Sequence, residues 1–157
     1  MTLVTNHRAN LFGEVVDGEM RLNQIGHIVA KAWEWLQNQY PFVNLDPYFV
    51  MPNHFHGILQ IIELNDDGRG GSPATKKGCT LPAPTENHKI KPLGQLIGAF
   101  KTVSVKHINL FRSTPGLPIW QRNYYEHIIR DQLELDDIAH YIDSNSETWI
   151  DDPEYIQ

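Results

Sequence analysis

Val43-Asn-Leu-Asp-Pro-Tyr-Phe-Val-Met-Pro-Asn-His-Phe-His-Gly-Ile-Leu-Gln-Ile-Ile62 is the stretch on which the fold turns. Both halves are rich in β-branched and aromatic residues, and Pro52-Asn53 interrupts them. The pattern predicts two antiparallel strands, 43–51 and 54–62, with a tight connection. On the second strand His54 and His56 leave one face while Phe55 enters the other, because side chains alternate along an extended chain. Two imidazoles side by side can reach one divalent ion and leave positions for a third ligand and for substrate oxygens. In a chain with eight histidines an H-x-H pattern is weak by itself. The apolar run from Ile58 to Ile62 strengthens it, since such a setting accounts easily for a hydrophobic residue and poorly for two exposed imidazoles.

Upstream, Leu11-Phe-Gly-Glu-Val-Val-Asp-Gly-Glu-Met-Arg-Leu22 carries Asp17-Gly18 between two short apolar runs, a two-residue hairpin signal. Leu22, Ile25, Val29, Trp33, Leu36 and Tyr40 then recur at steps of three and four, which predicts an amphipathic helix ending near Pro41. Residues 64–91 are a run of Gly, Pro, Asp, Lys, Thr and Asn with little apolar content to offset ordering entropy. A mobile loop of about 28 residues is expected there. A second helix is predicted from Leu93 to Arg112, with Leu93, Leu96, Phe100, Val103 and Phe111 on its buried side. A strand follows from Ile119 to Ile129. A last helix runs from Gln132 to Asn145, started by Asp131 with Glu134 three residues on. There are no internal repeats. The order predicts an α+β chain, a ferredoxin-like antiparallel sheet with helices packed on it, as a single domain over residues 1–157.

Composition sets the outer limits. With 157 residues, 41% of them hydrophobic, and four tryptophans, one core can form without disulfides. Cys79 is the only cysteine, so no intramolecular disulfide exists and a reducing cytoplasm fits. The opening Met1-Thr-Leu-Val-Thr-Asn-His-Arg8 has no cationic segment followed by an apolar run, and no stretch approaches membrane-helix length. A cytoplasmic protein that does not enter the membrane is therefore expected. The net charge of −6 argues against a protein that coats duplex DNA, which rewards clustered Lys and Arg. It leaves room for a short single strand held in a local basic groove.

The last helix supplies a second chemical pattern. Tyr141 and Asn145 are four residues apart and share a helical face, with Leu135, Ile138 and Ile142 packing down. Tyr141 reads either as an ordinary packing residue with its hydroxyl in water or as a phenolic nucleophile with an amide one turn on. Tyr124 and Tyr125 compete as nucleophiles, although sheet packing accounts for both. His127, Asp137 and His140 have no spacing that demands a role, and Cys79 is a lone thiol in the expected loop.

Together these stretches resemble a family. Met51-Pro-Asn-His-Phe-His-Gly57 is similar to the Met-Pro-Asn-His-hydrophobic-His segment of one-tyrosine HUH transposases, in particular the REP-associated tyrosine transposases. Leu11-Phe-Gly-Glu14, Trp120-Gln-Arg122 with Tyr125-Glu-His-Ile-Ile-Arg130, and Tyr141-Ile-Asp-Ser-Asn145 agree in order. The resemblance covers nearly the whole chain outside residues 64–91. It implies that His54, His56 and Asn145 bind a divalent ion (Mg²⁺ or Mn²⁺) and that Tyr141 is the nucleophile. The implied activity is cleavage and transfer of single-stranded DNA, usually near a hairpin, through a 5′-phosphotyrosine with a free 3′-hydroxyl. Lys101, Lys106, Arg112 and Arg122 are the cations expected along the DNA backbone, and a homodimer is a possible assembly. Two departures stand out. Ser146 follows Asn145 where the branch has proline, and the first strand looks short before Thr5, which would weaken a sheet edge and lower activity. Two further readings compete: a DNA-hairpin-binding protein that keeps the fold without catalysis, and a small-substrate metallohydrolase. The latter wants a carboxylate beside the histidines that neither Asp66-Asp67 nor Asp151-Asp152 supplies.

Overall fold

The structure is a computed structural model and describes residues 1–62, 90–145 and 149. All but the last two residues of the expected loop 64–91 lie outside the described residues. In chain order the elements are β1 (Thr2–Val4), a 3₁₀ turn (Asn6–Arg8), β2 (Gly13–Val16), β3 (Glu19–Leu22), α1 (Gln24–Gln39), β4 (Val43–Val50), β5 (His54–Ile61), α2 (Leu93–Arg112) and α3 (Gln132–Ser144). The fold is α+β.

β5 lies at the centre of an antiparallel sheet in the order β1-β5-β4. Leu3 pairs with Phe55 on one side and Val50 with Phe55 on the other. The chain after α2 flanks the free side of β1 through antiparallel bridges at Thr5–Trp120 and Thr2–Tyr125. With that segment included, the lateral order is the ferredoxin-like one predicted. β2 and β3 form a separate hairpin. Asp17 (φ 55°) and Gly18 (φ 78°) both take the positive φ that a tight primed turn requires.

The expected strand from Ile119 to Ile129 is not continuous. Three residue steps on β1 face five on the other chain between the two bridges, so the longer run must bulge. The Lys101 ammonium donates to the carbonyls of Gln121, Arg122 and Asn123 at 2.8, 3.3 and 3.2 Å, which takes those groups out of strand pairing.

α1 and α2 cover one face of the sheet. Trp33 of α1 packs on Phe55 and on Phe100 of α2, with ring centroids 4.9 and 5.3 Å apart. Gly57 is required by this layer, because a Cβ there would stand 2.8 Å from ring atoms of both Phe55 and Trp33. Leu22 belongs to β3 rather than to the helix. Asn23 caps α1 by accepting from the amides of Ile25 and Gly26. On α2 the buried residues are Leu96, Ile97, Phe100, Ser104, Ile108 and Asn109, whereas Phe111 is 56% exposed. The stripe runs through Ser104, whose hydroxyl accepts from the Trp120 indole at 2.9 Å, and it ends at Ile108 and Asn109, so Phe111 in the last turn of the helix faces out.

α3 packs on the other face, against β4 and β5. Asp131 caps it as expected, accepting from the Glu134 amide at 2.9 Å. The Glu134 carboxylate turns instead to the Arg130 amide (2.8 Å) and the His127 ring (2.6 Å). Among the described residues no helix is long and apolar enough to cross a membrane.

Candidate metal and nucleophile site

Alternation along β5 places Phe55 in the helix-covered core and turns His54 and His56 to the face under α3. Their ring centroids are 4.6 Å apart. Contrary to the expectation of exposed imidazoles, both are buried, His54 at 0% and His56 at 8% exposure. The cover comes from the last helix and from Trp149 beyond its end. The Tyr141 ring stands edge-on to His56 with centroids 5.7 Å apart, and the Trp149 ring lies 5.7 Å from that of His54.

Both rings are oriented through Nδ1. His56 Nδ1 shares a hydrogen bond with the Thr2 hydroxyl at 2.9 Å. His54 Nδ1 meets the Asn53 side-chain oxygen, also at 2.9 Å. The orientation of the Asn53 amide is fixed independently, because its nitrogen donates to the Arg8 carbonyl at 3.2 Å. Asn53 Oδ1 therefore accepts, His54 Nδ1 carries the proton, and the lone pair sits on Nε2. A backbone or amide oxygen on one imidazole nitrogen is the usual way a protein presents the other to a metal. The turn holding the Arg8 carbonyl there contains two successive left-handed residues, His7 and Arg8 (φ 56° and 54°), a conformation that costs on the order of 1–2 kcal/mol per residue. Burial lowers the His54 pKa from its ordinary 6.5 to about 4, so the ring is neutral at pH 7, as a ligand must be.

Asn145 is the C-cap of α3. It is 1% exposed, and neither Oδ1 nor Nδ2 has a hydrogen-bond partner among the described residues. A buried polar group without a partner costs about 1–3 kcal/mol. In sequence Asn145 stands between Tyr141, whose ring contacts His56, and Trp149, whose ring contacts His54. Among the described residues no three His, Cys, Asp or Glu side chains gather into one cluster. An orphaned amide oxygen fits a hard divalent cation. Tyr141 is 50% exposed, which leaves the phenol approachable from outside while its ring contacts His56.

The expected DNA-facing cations are not brought together. Lys101 is committed to three carbonyls, and desolvation lowers its pKa. Lys106 and Arg112 are exposed on α2, on the opposite side of the sheet from the histidines. Arg122 is exposed on the segment flanking β1. Tyr125 is exposed too, bridged to Thr2 through its backbone. Thr2, Asn53 and Trp149 escaped the sequence reading. Asn53 directly precedes the histidine pair and could have been noticed; no spacing ties Thr2 or Trp149 to it.

No family model matches the chain. It is 33% identical over 156 residues to an uncharacterized protein of Haemophilus influenzae, across 99% of this chain and 83% of that one. Among solved structures it is similar to a REP-associated tyrosine transposase bound to a REP hairpin, with a TM-score of 0.55 and 18% identity. That alignment takes in 90% of this chain and 61% of the other, so the chain spans about three-fifths of the transposase. The chain belongs to one family with the Haemophilus influenzae protein, and its fold is that of the REP-associated tyrosine transposase.

Proposed function

We propose that the protein is a divalent-metal-dependent endonuclease and strand transferase for single-stranded DNA, acting at hairpin-bearing DNA through Tyr141. The reading is carried by one observation: Tyr141 stands edge-on to His56, with the buried Asn145 amide, which has no hydrogen-bond partner among the described residues, one turn further along. The solved transposase of the same fold is bound to a REP hairpin, which supports DNA of that kind as the substrate.

His54 and His56 through Nε2 and Asn145 through Oδ1 would hold Mg²⁺ or Mn²⁺, which supplies polarisation of a phosphate oxygen. Thr2 and Asn53 orient the two rings, and Trp149 excludes water from beside His54. The Tyr141 oxygen attacks phosphorus as its proton departs, forming a phosphotyrosine at the 5′ side. The bond from phosphorus to the 3′ oxygen breaks, and that oxygen takes a proton to become a free hydroxyl. The number of phosphoester bonds is unchanged, so the step reverses onto another 3′ end. The contact of the Tyr141 ring with His56 of the same chain supports a site completed within one subunit.

The test is a cleavage assay with Mg²⁺ or Mn²⁺ on hairpin-bearing single strands from the gene's flanks, comparing wild type, Tyr141→Phe and Tyr125→Phe. A covalent protein–DNA band that disappears only in Tyr141→Phe is the expected result. A band lost only in Tyr125→Phe moves the nucleophile to the flanking segment. Metal-independent hairpin binding without any covalent band makes the protein a binding module.

A further inference from the structure

Sheet packing, the sequence expectation for both Tyr124 and Tyr125, accounts for only the first of them. Tyr124 lies half-buried on the helix-covered side, with the Lys101 ammonium 5.6 Å from its ring centroid. Tyr125 is the next residue along an extended run and turns to the other side. Its bridge partner gives the same answer. Thr2 and Tyr125 exchange hydrogen bonds of 2.8 and 3.0 Å, and residues opposite each other in an antiparallel pair project from one face. The Thr2 hydroxyl meets His56 Nδ1, so the Tyr125 ring stands on the histidine face. It is 67% exposed there.

Across the sheet the row reads Tyr125, Thr2, His56, Phe49. Two inter-strand steps separate Tyr125 from His56, about 10 Å between their backbones. α3 packs over β4 and β5 and sets the Tyr141 ring against His56, whereas Tyr125 stands beyond β1. The floor between them is β1, with Thr2 and Val4 half-buried. A phosphate beside His56 and Tyr141 leaves room over this floor for the neighbouring sugar, and its base then falls on the Tyr125 ring. The ring is neutral and flat, and every base has a face to stack on it. Glu126, the adjacent carboxylate, lies with the Tyr124 phenol on the other side. Arg122, three residues earlier on the same segment, is exposed and offers a cation to the backbone of the strand.

We propose that Tyr125 is the stacking platform for a nucleobase of the bound single strand, holding the nucleotide next to the phosphate that meets His56 and Tyr141. The inference rests on the reading of the site as one for single-stranded DNA. It gives Tyr125 a substrate contact through its ring and not through its hydroxyl. Such a contact fixes where the strand lies and tolerates any base.

The test measures binding by the full chain, in chelator so that no cleavage occurs, using fluorescence anisotropy. The probes are a fluorescein-labelled oligothymidylate of about 12 nucleotides and an abasic strand of the same length. Wild type is expected to prefer the strand that carries bases. Tyr125→Ala should weaken oligothymidylate binding about 5- to 100-fold, the usual effect of losing one stacked base, and leave abasic binding unchanged. Tyr125→Phe keeps the ring and should bind as wild type does. The proposal is overturned if Tyr125→Ala binds oligothymidylate undiminished, if it loses both strands alike, or if Tyr125→Phe loses as much as Tyr125→Ala. It is equally overturned if wild type binds neither strand or both equally. The covalent band judges the chemistry separately. A wild-type band beside an unaffected Tyr125→Ala refutes the platform alone, and base-dependent binding lost in Tyr125→Ala without any wild-type band refutes the transferase alone.

Discussion

Asn53 shows how one side chain can set the state of a neighbour. Its nitrogen is held by the Arg8 carbonyl and its oxygen accepts from His54. Asn53→Ala is therefore expected to weaken Mn²⁺ binding about 10–100-fold, the usual effect of losing an orienting partner. Asn53→Asp keeps the acceptor and should retain most of the affinity. Mn²⁺ titration followed by EPR measures both, and equal losses in the two variants would refute the orienting role. His54 itself makes the fold acid-sensitive. Its pKa is about 4 in the folded protein against an ordinary value near 6.5. Between those limits the unfolded chain binds a proton that the folded chain does not, so stability rises with pH. In chelator, unfolding free energy is expected to fall by roughly 3 kcal/mol from pH 7 to pH 4 on account of this group. Urea melts at pH 7, 5.5 and 4.5 compared with His54→Gln check it; parallel pH dependence in the two proteins would remove His54 as the cause.

At the scale of elements, β5 is held between two different layers, and its glycine belongs to only one of them. A methyl at Gly57 would press on Phe55 and Trp33, and overpacking of this kind costs about 1–3 kcal/mol. Gly57→Ala should lower the unfolding free energy by that amount while leaving the histidine face chemically intact, so Mn²⁺ affinity under native conditions should change little. Loss of metal binding in a variant that remains folded would show that the two faces are coupled. The segment after α2 depends on a different device. Lys101 binds three carbonyls of that bulged run, where a regular strand would pair them. Lys101→Met is expected to cost about 1–3 kcal/mol and to speed exchange of the Gln121 amide, which donates to Val4. An unchanged melting curve together with weakened DNA binding would return Lys101 to the DNA surface. The regular elements were readable because hydrophobic periodicity and turn chemistry are local. The bulge was not, since it depends on a lysine twenty residues upstream; on α2 the stripe was read through Leu93, Leu96, Phe100 and Val103 but not at Ser104, buried through a hydroxyl that Trp120 makes satisfiable.

For the whole molecule, a sequence states which residues share a helix face but not which side of the sheet the helix covers. The side-by-side placement of His54 and His56 was legible because the strand period fixes it, and the fold sets the Tyr141 ring against His56. Lys106 and Arg112 stand on α2, which packs with α1 on the Phe55 side, away from the histidines. The arginines on segments bordering the histidine side are Arg122, expected from the sequence, and two that were not. Arg8 offers its carbonyl to Asn53, Arg122 is on the segment beside β1, and Arg130 precedes α3. With a net charge of −6, a groove confined to one face should neutralise few phosphates. Three contacts at the single-strand coefficient give a slope of log K against log salt of about −2. Arg8→Ala is then expected to reduce the slope by about 0.7 and Lys106→Ala to leave it unchanged. Filter binding of a hairpin-bearing single strand between about 50 and 200 mM salt decides the matter. A slope near −6, or an equal effect of Lys106→Ala, would mean that the DNA wraps across the sheet onto the helical layer. The acidic total would then be a poor guide to the footprint.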